Sequence, residues 1–207
     1  ANPMALPWGG PLLAPSRPGR SVPFTPPISM INGLSLRAFN KAYNTLGRLK
    51  AERGPVHYQP FFYPLDAVRN WNRIYGPRGF YQYQSVVPNE GREEVTAALL
   101  EEIRKAGQGS FLVVLKTFGT RQAPGLLSFP RPGVTLAMDF PNRGARSLAL
   151  LDRLDGIVAE AGGRVYPAKD ARMSAQMFRK GYPGLETYMK YRDPGITSAL
   201  SRRLIGD

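Results

Sequence analysis

Between residues 80 and 165 the hydrophobic period of the chain changes from two residues to about 3.6 and back, twice, and few folds accept that order. "GFYQYQSVVP" alternates as a strand, and a helix follows over about 91–106 with Val95, Ala98, Leu99 and Ile103 on one face. "SFLVVLKTFG" and "VTLAMDF" read as two more strands. A second helix, about 145–161, uses Leu148, Leu151, Leu154 and Val158, and "GGRVYPAKD" opens with a short strand. Strand, helix, strand, strand, helix, strand is the split βαβ or ferredoxin-like order, so the predicted class is α+β, with helices on one face of an antiparallel sheet. Further helices are expected near 173–180 and 184–191. Upstream, Leu36, Phe39, Tyr43, Leu46 and Leu49 space a helix over 34–52, "VHYQPFFYPL" reads as a strand, and "DAVRNWNRIYG" as a short helix capped by Asp66. Residues 1–33 are dense in proline and glycine and read as a connector or arm, leaving 34–207 as one folded unit.

Alternation also assigns faces. Tyr81, Tyr83, Ser85 and Val87 join Val113, Leu115, Val134, Leu136, Met138 and Phe140 on a mostly apolar face suited to the helices. The opposite face collects Gln82, Gln84, Lys116, Phe118, Thr135 and Ala137. Two carboxamides buried without partners would cost roughly 1–3 kcal/mol each, so this face is either wet or built to hold something polar. A solvent-facing sheet and a ligand floor both satisfy the pattern.

Composition narrows the chemistry. The chain of 207 residues has no cysteine, which removes disulfides, thiolate metal sites and a cysteine nucleophile. His57 is the single imidazole, so a multi-histidine metal site or a serine–histidine pair has little to draw on; an ordinary strand residue is the expectation for it. The net charge of +13 favours nucleic acid, an anionic membrane or a phosphate-bearing ligand as partner. No apolar run reaches the roughly 18 residues of a membrane span, and no signal peptide is visible, which suggests a cytoplasmic or peripherally membrane-associated protein.

Two function classes compete. A basic ferredoxin-like sheet with aromatics suits RNA recognition, and "RGFYQYQS" starts as the Arg-Gly-aromatic ribonucleoprotein motif does. The match then fails. Tyr81 stands where a small residue is required, Gln82 where an aromatic stacks, and the segment lies on the first strand of the unit instead of the third. No specific nucleic-acid binding is therefore expected.

The other class enters through a resemblance. "YPLDAVRNWNRIYGPRGFYQYQSVVP", "SFLVVLKTFG", "QAPGLLSFPRPGVTLAMDFP", "GGRVYPAKDARMSAQMFRKGYPGLETYMKYRDP" and "LSRRL" closely resemble, in the same order, bacterial sugar oxidases of the vanillyl-alcohol-oxidase class of FAD-linked oxidases. The resemblance implies the C-terminal cap of a two-domain enzyme, with the FAD-binding domain absent from this chain and supplied in cis or in trans. It implies oxidation of a sugar alcohol, in some relatives a lipid-linked ribose, with FAD as cofactor. The cap of a sugar-lactone or alditol oxidase is the alternative within the class.

By position, the resemblance places Gln82, Gln84, Phe118, Thr135 and Ala137 at the substrate, Lys116 and Lys169 at the reacting centre, and Tyr166 with Lys169 at the flavin. Thr135 and Ala137 depart from the asparagine and cysteine usual there, which loosens the link to lipid-linked ribose. Amides offer donors and an acceptor for sugar hydroxyls, and a fixed cation stabilises charge on a reduced flavin or, when desolvated, accepts a proton. For each lysine the plain alternative is a solvated charge; for Phe118 and Tyr166 it is ordinary packing.

Overall fold

The computed structural model describes residues 20–49, 58 and 68–206. Its elements in chain order are β1 (Arg20–Ser21), α1 (Gly33–Leu49), β2 (Val68–Arg69), a 3-10 turn (Trp71–Tyr75), β3 (Phe80–Val87), α2 (Arg92–Ala106), β4 (Val113–Phe118), β5 (Gly133–Pro141), α3 (Ala145–Glu160), β6 (Arg164–Val165), a second 3-10 turn (Pro167–Lys169), α4 (Ala175–Gly181), α5 (Leu185–Met189) and α6 (Ala199–Ile205). The four-stranded sheet runs β4-β5-β3-β6, every neighbouring pair antiparallel. Split βαβ topology requires this order: each helix carries the chain over one strand, and the second unit interleaves with the first. The protein is α+β, as the periodicity implies.

The core lies where the apolar face meets the helices. Tyr83, Val87, Leu136, Met138 and Phe140 pack with Leu99 and Ile103 of α2 and with Leu150, Leu151, Leu154 and Val158 of α3. Fully burying such a side chain stabilises by roughly 1.5–3 kcal/mol, so these contacts fix which face of the sheet is covered. The helical faces are rotated slightly from the sequence reading: Ala98 is exposed, Leu148 only half-buried, and Leu150 takes the inner position. Met173, Met177, Phe178, Tyr182, Leu185 and Leu204 extend the same core beneath the C-terminal helices.

One local reading changes. The short helix expected from Asp66 is instead a 3-10 turn starting at Trp71, entered through Asn70 in the left-handed region at φ 57°. Helix α6 has no strong apolar period; Ser198 and Ser201 make it by capping each other's backbone N–H reciprocally. The strand expected over "VHYQPFFYPL", with His57, and the cap Asp66 lie outside the described residues, apart from Tyr58, which is helical. Among the described residues no helix is long and apolar enough to cross a membrane.

Candidate functional site

Register places the residues of the second sheet face in rows. Lys116 on β4 pairs with Thr135 on β5, which pairs with Val86 on β3; one row further, Val114, Ala137 and Gln84 align; beyond them Asp139 meets Gln82. Phe118 opposite Gly133 closes one end of this floor, and Phe80 opposite Pro141 closes the other. Gln82, Gln84, Lys116, Phe118, Thr135 and Ala137 thus share one face, as alternation demands.

Aromatic groups wall both ends. At the first, Phe129 is buried and its ring lies 4.5 Å from Tyr166, stacked, and 6.0 Å from Phe118, edge-on. At the second, Phe80 stacks on buried Tyr75 at 4.4 Å, with Trp71 at 5.4 Å. Tyr166 is held beside the floor because its backbone N–H donates to the Gln84 carbonyl at 2.8 Å, and the 3-10 turn that follows carries half-buried Lys169.

Between the walls the polar groups are not uniformly open. Gln84 is buried, and its Nε2 donates to Thr135 Oγ1 at 3.0 Å, so the amide that alternation alone would leave wet is partnered within the sheet. Gln82 is exposed, and its Nε2 donates to Asp139 Oδ1 at 3.2 Å. Lys116 stands exposed on β4, an edge strand among the described residues, with Nζ 5.6 Å from the Phe118 ring centre. Its ammonium group rests beside an aromatic face.

Asp139 is the residue that sequence reasoning passed over. By alternation it shares the face of Thr135 and Ala137, and the structure reveals that it is 7% exposed. Burial pushes its carboxyl above the ordinary carboxylate range, opposed by the Gln82 hydrogen bond and by the Lys169 charge. Phe129, from a loop, carried no periodic signal, and Tyr75 sits at the end of the first 3-10 turn.

The sign of the Asp139 shift gives a prediction. A carboxyl raised on folding favours the native state while protonated and opposes it as pH rises through its native titration range. Asp139→Asn should therefore melt higher than the parent at pH 7, with the difference vanishing toward pH 3, where both states of the parent hold the proton. Thermal melts across that range check it; a variant that melts lower at pH 7 would show that the ionised Asp139 stabilises the fold.

Fold and site together define a basic split-βαβ module whose second sheet face gathers amides, cations and a buried carboxylate between aromatic walls. Over 150 residues the chain is 43% identical to the decaprenylphosphoryl-β-D-ribose oxidase of Mycolicibacterium smegmatis, an alignment covering 70% of this chain and 32% of the relative. It is also 38% identical over 131 residues to an uncharacterized Streptomyces coelicolor protein, covering 61% of this chain and 35% of that one. The alignments thus span about a third of the length of these curated relatives. No protein-family model matches the chain.

Proposed function

We propose that this chain is the substrate-binding cap of an FAD-dependent oxidoreductase that oxidises a secondary hydroxyl of a sugar. The observation that carries the reading is the convergence of Gln82, Gln84, Lys116 and Asp139 on one sheet face, with Tyr166 and Lys169 at its margin, in a chain that resembles a ribose oxidase at 43% identity.

The donor set fits a flavin edge. The Tyr166 phenol, its ring stacked on Phe129, and the half-buried Lys169 that follows it on the 3-10 turn offer donors suited to the electron-rich carbonyl side of an isoalloxazine ring, so these two residues would hold that edge. When bound, the flavin supplies the acceptor for the hydride leaving the sugar carbon. The chain's own residues do the rest. Exposed Gln82 orients sugar hydroxyls through its amide, and Gln84, fixed on Thr135, sets the depth of the floor. Asp139 takes the hydroxyl proton: burial has made its carboxylate more basic than an ordinary one, and Gln82 aims it. Lys116 and Lys169 stabilise negative charge that develops on the acceptor side. Phe118 and Phe129 exclude water from one end of the floor.

The substrate expected first is a lipid-linked ribose, with sugar lactones and alditols as the alternative. The sheet offers Thr135 and Ala137 at positions that contact the sugar in this reading, and the Gln84–Thr135 bond leaves one amide N–H fewer for substrate. Purified by itself, the chain should fold and remain colourless, since the main flavin contacts lie in a separate domain. Product analysis on a polypeptide that also carries the flavin-binding domain decides the substrate: a ketosugar formed from lipid-linked ribose supports the first reading, and turnover of free lactones or alditols alone supports the second. A preparation of this chain that is yellow with stoichiometric flavin would contradict the placement of the cofactor.

A further inference from the structure

Helix α1 differs from α2 to α6: none of its residues is buried, whereas each of those buries at least one. It is nevertheless strongly two-sided. Leu36, Phe39, Tyr43 and Leu46, spaced three and four apart, share one face, and Arg37, Lys41 and Arg48 share the opposite one. A helix of this pattern on a globular protein turns its apolar face to the core. Here Tyr43 is 70% exposed, Leu46 54% and Leu49 78%.

The root of the helix is held firmly, so its exposure is not that of a loose end. Ile31 is buried and its carbonyl accepts from Arg143 Nη2 at 3.0 Å. Asn32 caps the first turn through its Oδ1, which accepts from the N–H groups of Leu34 and Ser35. The Phe39 ring meets Phe111 edge-on at 4.7 Å. Beyond that contact three turns project with their apolar side chains uncovered. The stretch feeding the helix behaves likewise, with Phe24 67% and Ile28 75% exposed.

We infer that α1 is a membrane-interface element, which lays its Phe39, Tyr43 and Leu46 face into the headgroup region of an anionic bilayer. Charge selects this occupant. The first 51 residues contain no aspartate or glutamate and six basic residues, Arg17, Arg20, Arg37, Lys41, Arg48 and Lys50. An anionic lipid surface attracts such a segment, each cation strengthening binding by about fivefold. The uncovered apolar side chains run along the chain from Phe24 to Leu49, an extended distribution that a planar interface accepts more readily than a compact groove does. A helix of 17 residues carrying three cations lies in the interface and does not span it.

One consequence rests on the sugar-oxidase reading. The helix root touches the segment 109–111, and Ser110 stands beside Tyr75 and, through it, the Asp139 end of the polar floor. Docking through α1 would hold that end of the floor close to the surface from which a lipid-linked sugar is presented.

Co-sedimentation of the 207-residue chain with vesicles tests the inference and needs neither flavin nor sugar, so it succeeds or fails independently of the oxidase reading. The chain should pellet with vesicles of equal parts phosphatidylglycerol and phosphatidylcholine, weaken as salt rises, and remain largely in solution with phosphatidylcholine alone. Tyr43→Ser with Leu46→Ser should lower partitioning by at least about tenfold. Lys41→Glu with Arg48→Glu should lower it by roughly tenfold or more on the anionic vesicles. Neither pair should change the melting temperature, because the affected turns bury nothing in the chain. Failure of the wild type to pellet with anionic vesicles would overturn the inference, as would equal pelleting of both double variants. A dimer in light scattering that Tyr43→Ser with Leu46→Ser abolishes would assign the face to a second copy, and protection of α1 from hydrogen exchange without vesicles in the longer polypeptide would assign it to the flavin-binding domain.

Discussion

Lys169→Met, made in a polypeptide that carries the flavin-binding domain, should slow reduction of the flavin by sugar by roughly 100- to 1000-fold, the usual loss when one preorganised donor to developing charge is removed. Methionine keeps the aliphatic stem and its packing, so folding should be preserved. A second signature distinguishes this from simple damage. Lys169 is one of two influences that hold Asp139 toward its ionised form against burial, the other being the Gln82 hydrogen bond. Removing the cation raises the Asp139 carboxyl further. If ionised Asp139 accepts the sugar proton, the acid limb of the rate profile must therefore move to higher pH. Stopped-flow reduction across pH reads both effects; an unchanged acid limb would separate Lys169 from Asp139.

Gly133→Ala should be the most damaging small substitution in the sheet. Gly133 starts β5 at φ +151°, which L side chains rarely adopt, and an added Cβ would run into the Val87 carbonyl oxygen, a backbone atom that cannot swing aside. Strain and collision together should cost at least about 3 kcal/mol. For a chain of this size that lowers the melting temperature by roughly 6–12 °C. The damage should reach the floor as well, because Gly133 pairs with Phe118 and lies two residues from Thr135, the partner of Gln84. Gly119→Ala provides the control: its Cβ would meet nothing within 4 Å, and its effect should stay within about 0.5 kcal/mol.

The parts of this molecule that the sequence made legible are those governed by a period. Alternation along β3 and β5 separated Tyr83, Met138 and Phe140 from Gln82, Gln84, Thr135 and Ala137, because each slip of one residue would exchange the two sets. The same alternation held Asp139, which passed unused because burial, not position, makes it chemically distinct. Pairing across strands was not legible. Gln84 finds Thr135 only once β3 and β5 are in register, and that single bond turns a wet amide into a buried one. Phe129 sits in "TRQAPGLLSFPRPG", where glycine and proline erase periodicity, yet its ring closes the wall between Phe118 and Tyr166. For α1 the period gave the helix and its apolar face; that the face would be left uncovered depended on what packs around it.

Anaerobic single-turnover reduction of the flavin in the longer polypeptide, measured for Lys116→Met beside Lys105→Met, tests the assignment of the sheet face most directly. Lys116 projects from the polar face in register with Thr135, whereas Lys105 is exposed at the end of α2, on the helical side. The account predicts a loss of roughly 100-fold or more for Lys116→Met, with flavin content and melting temperature retained, and the parent rate for Lys105→Met. If Lys116→Met reduces its flavin at the parent rate, the polar face of β3, β4 and β5 is not where the sugar reacts.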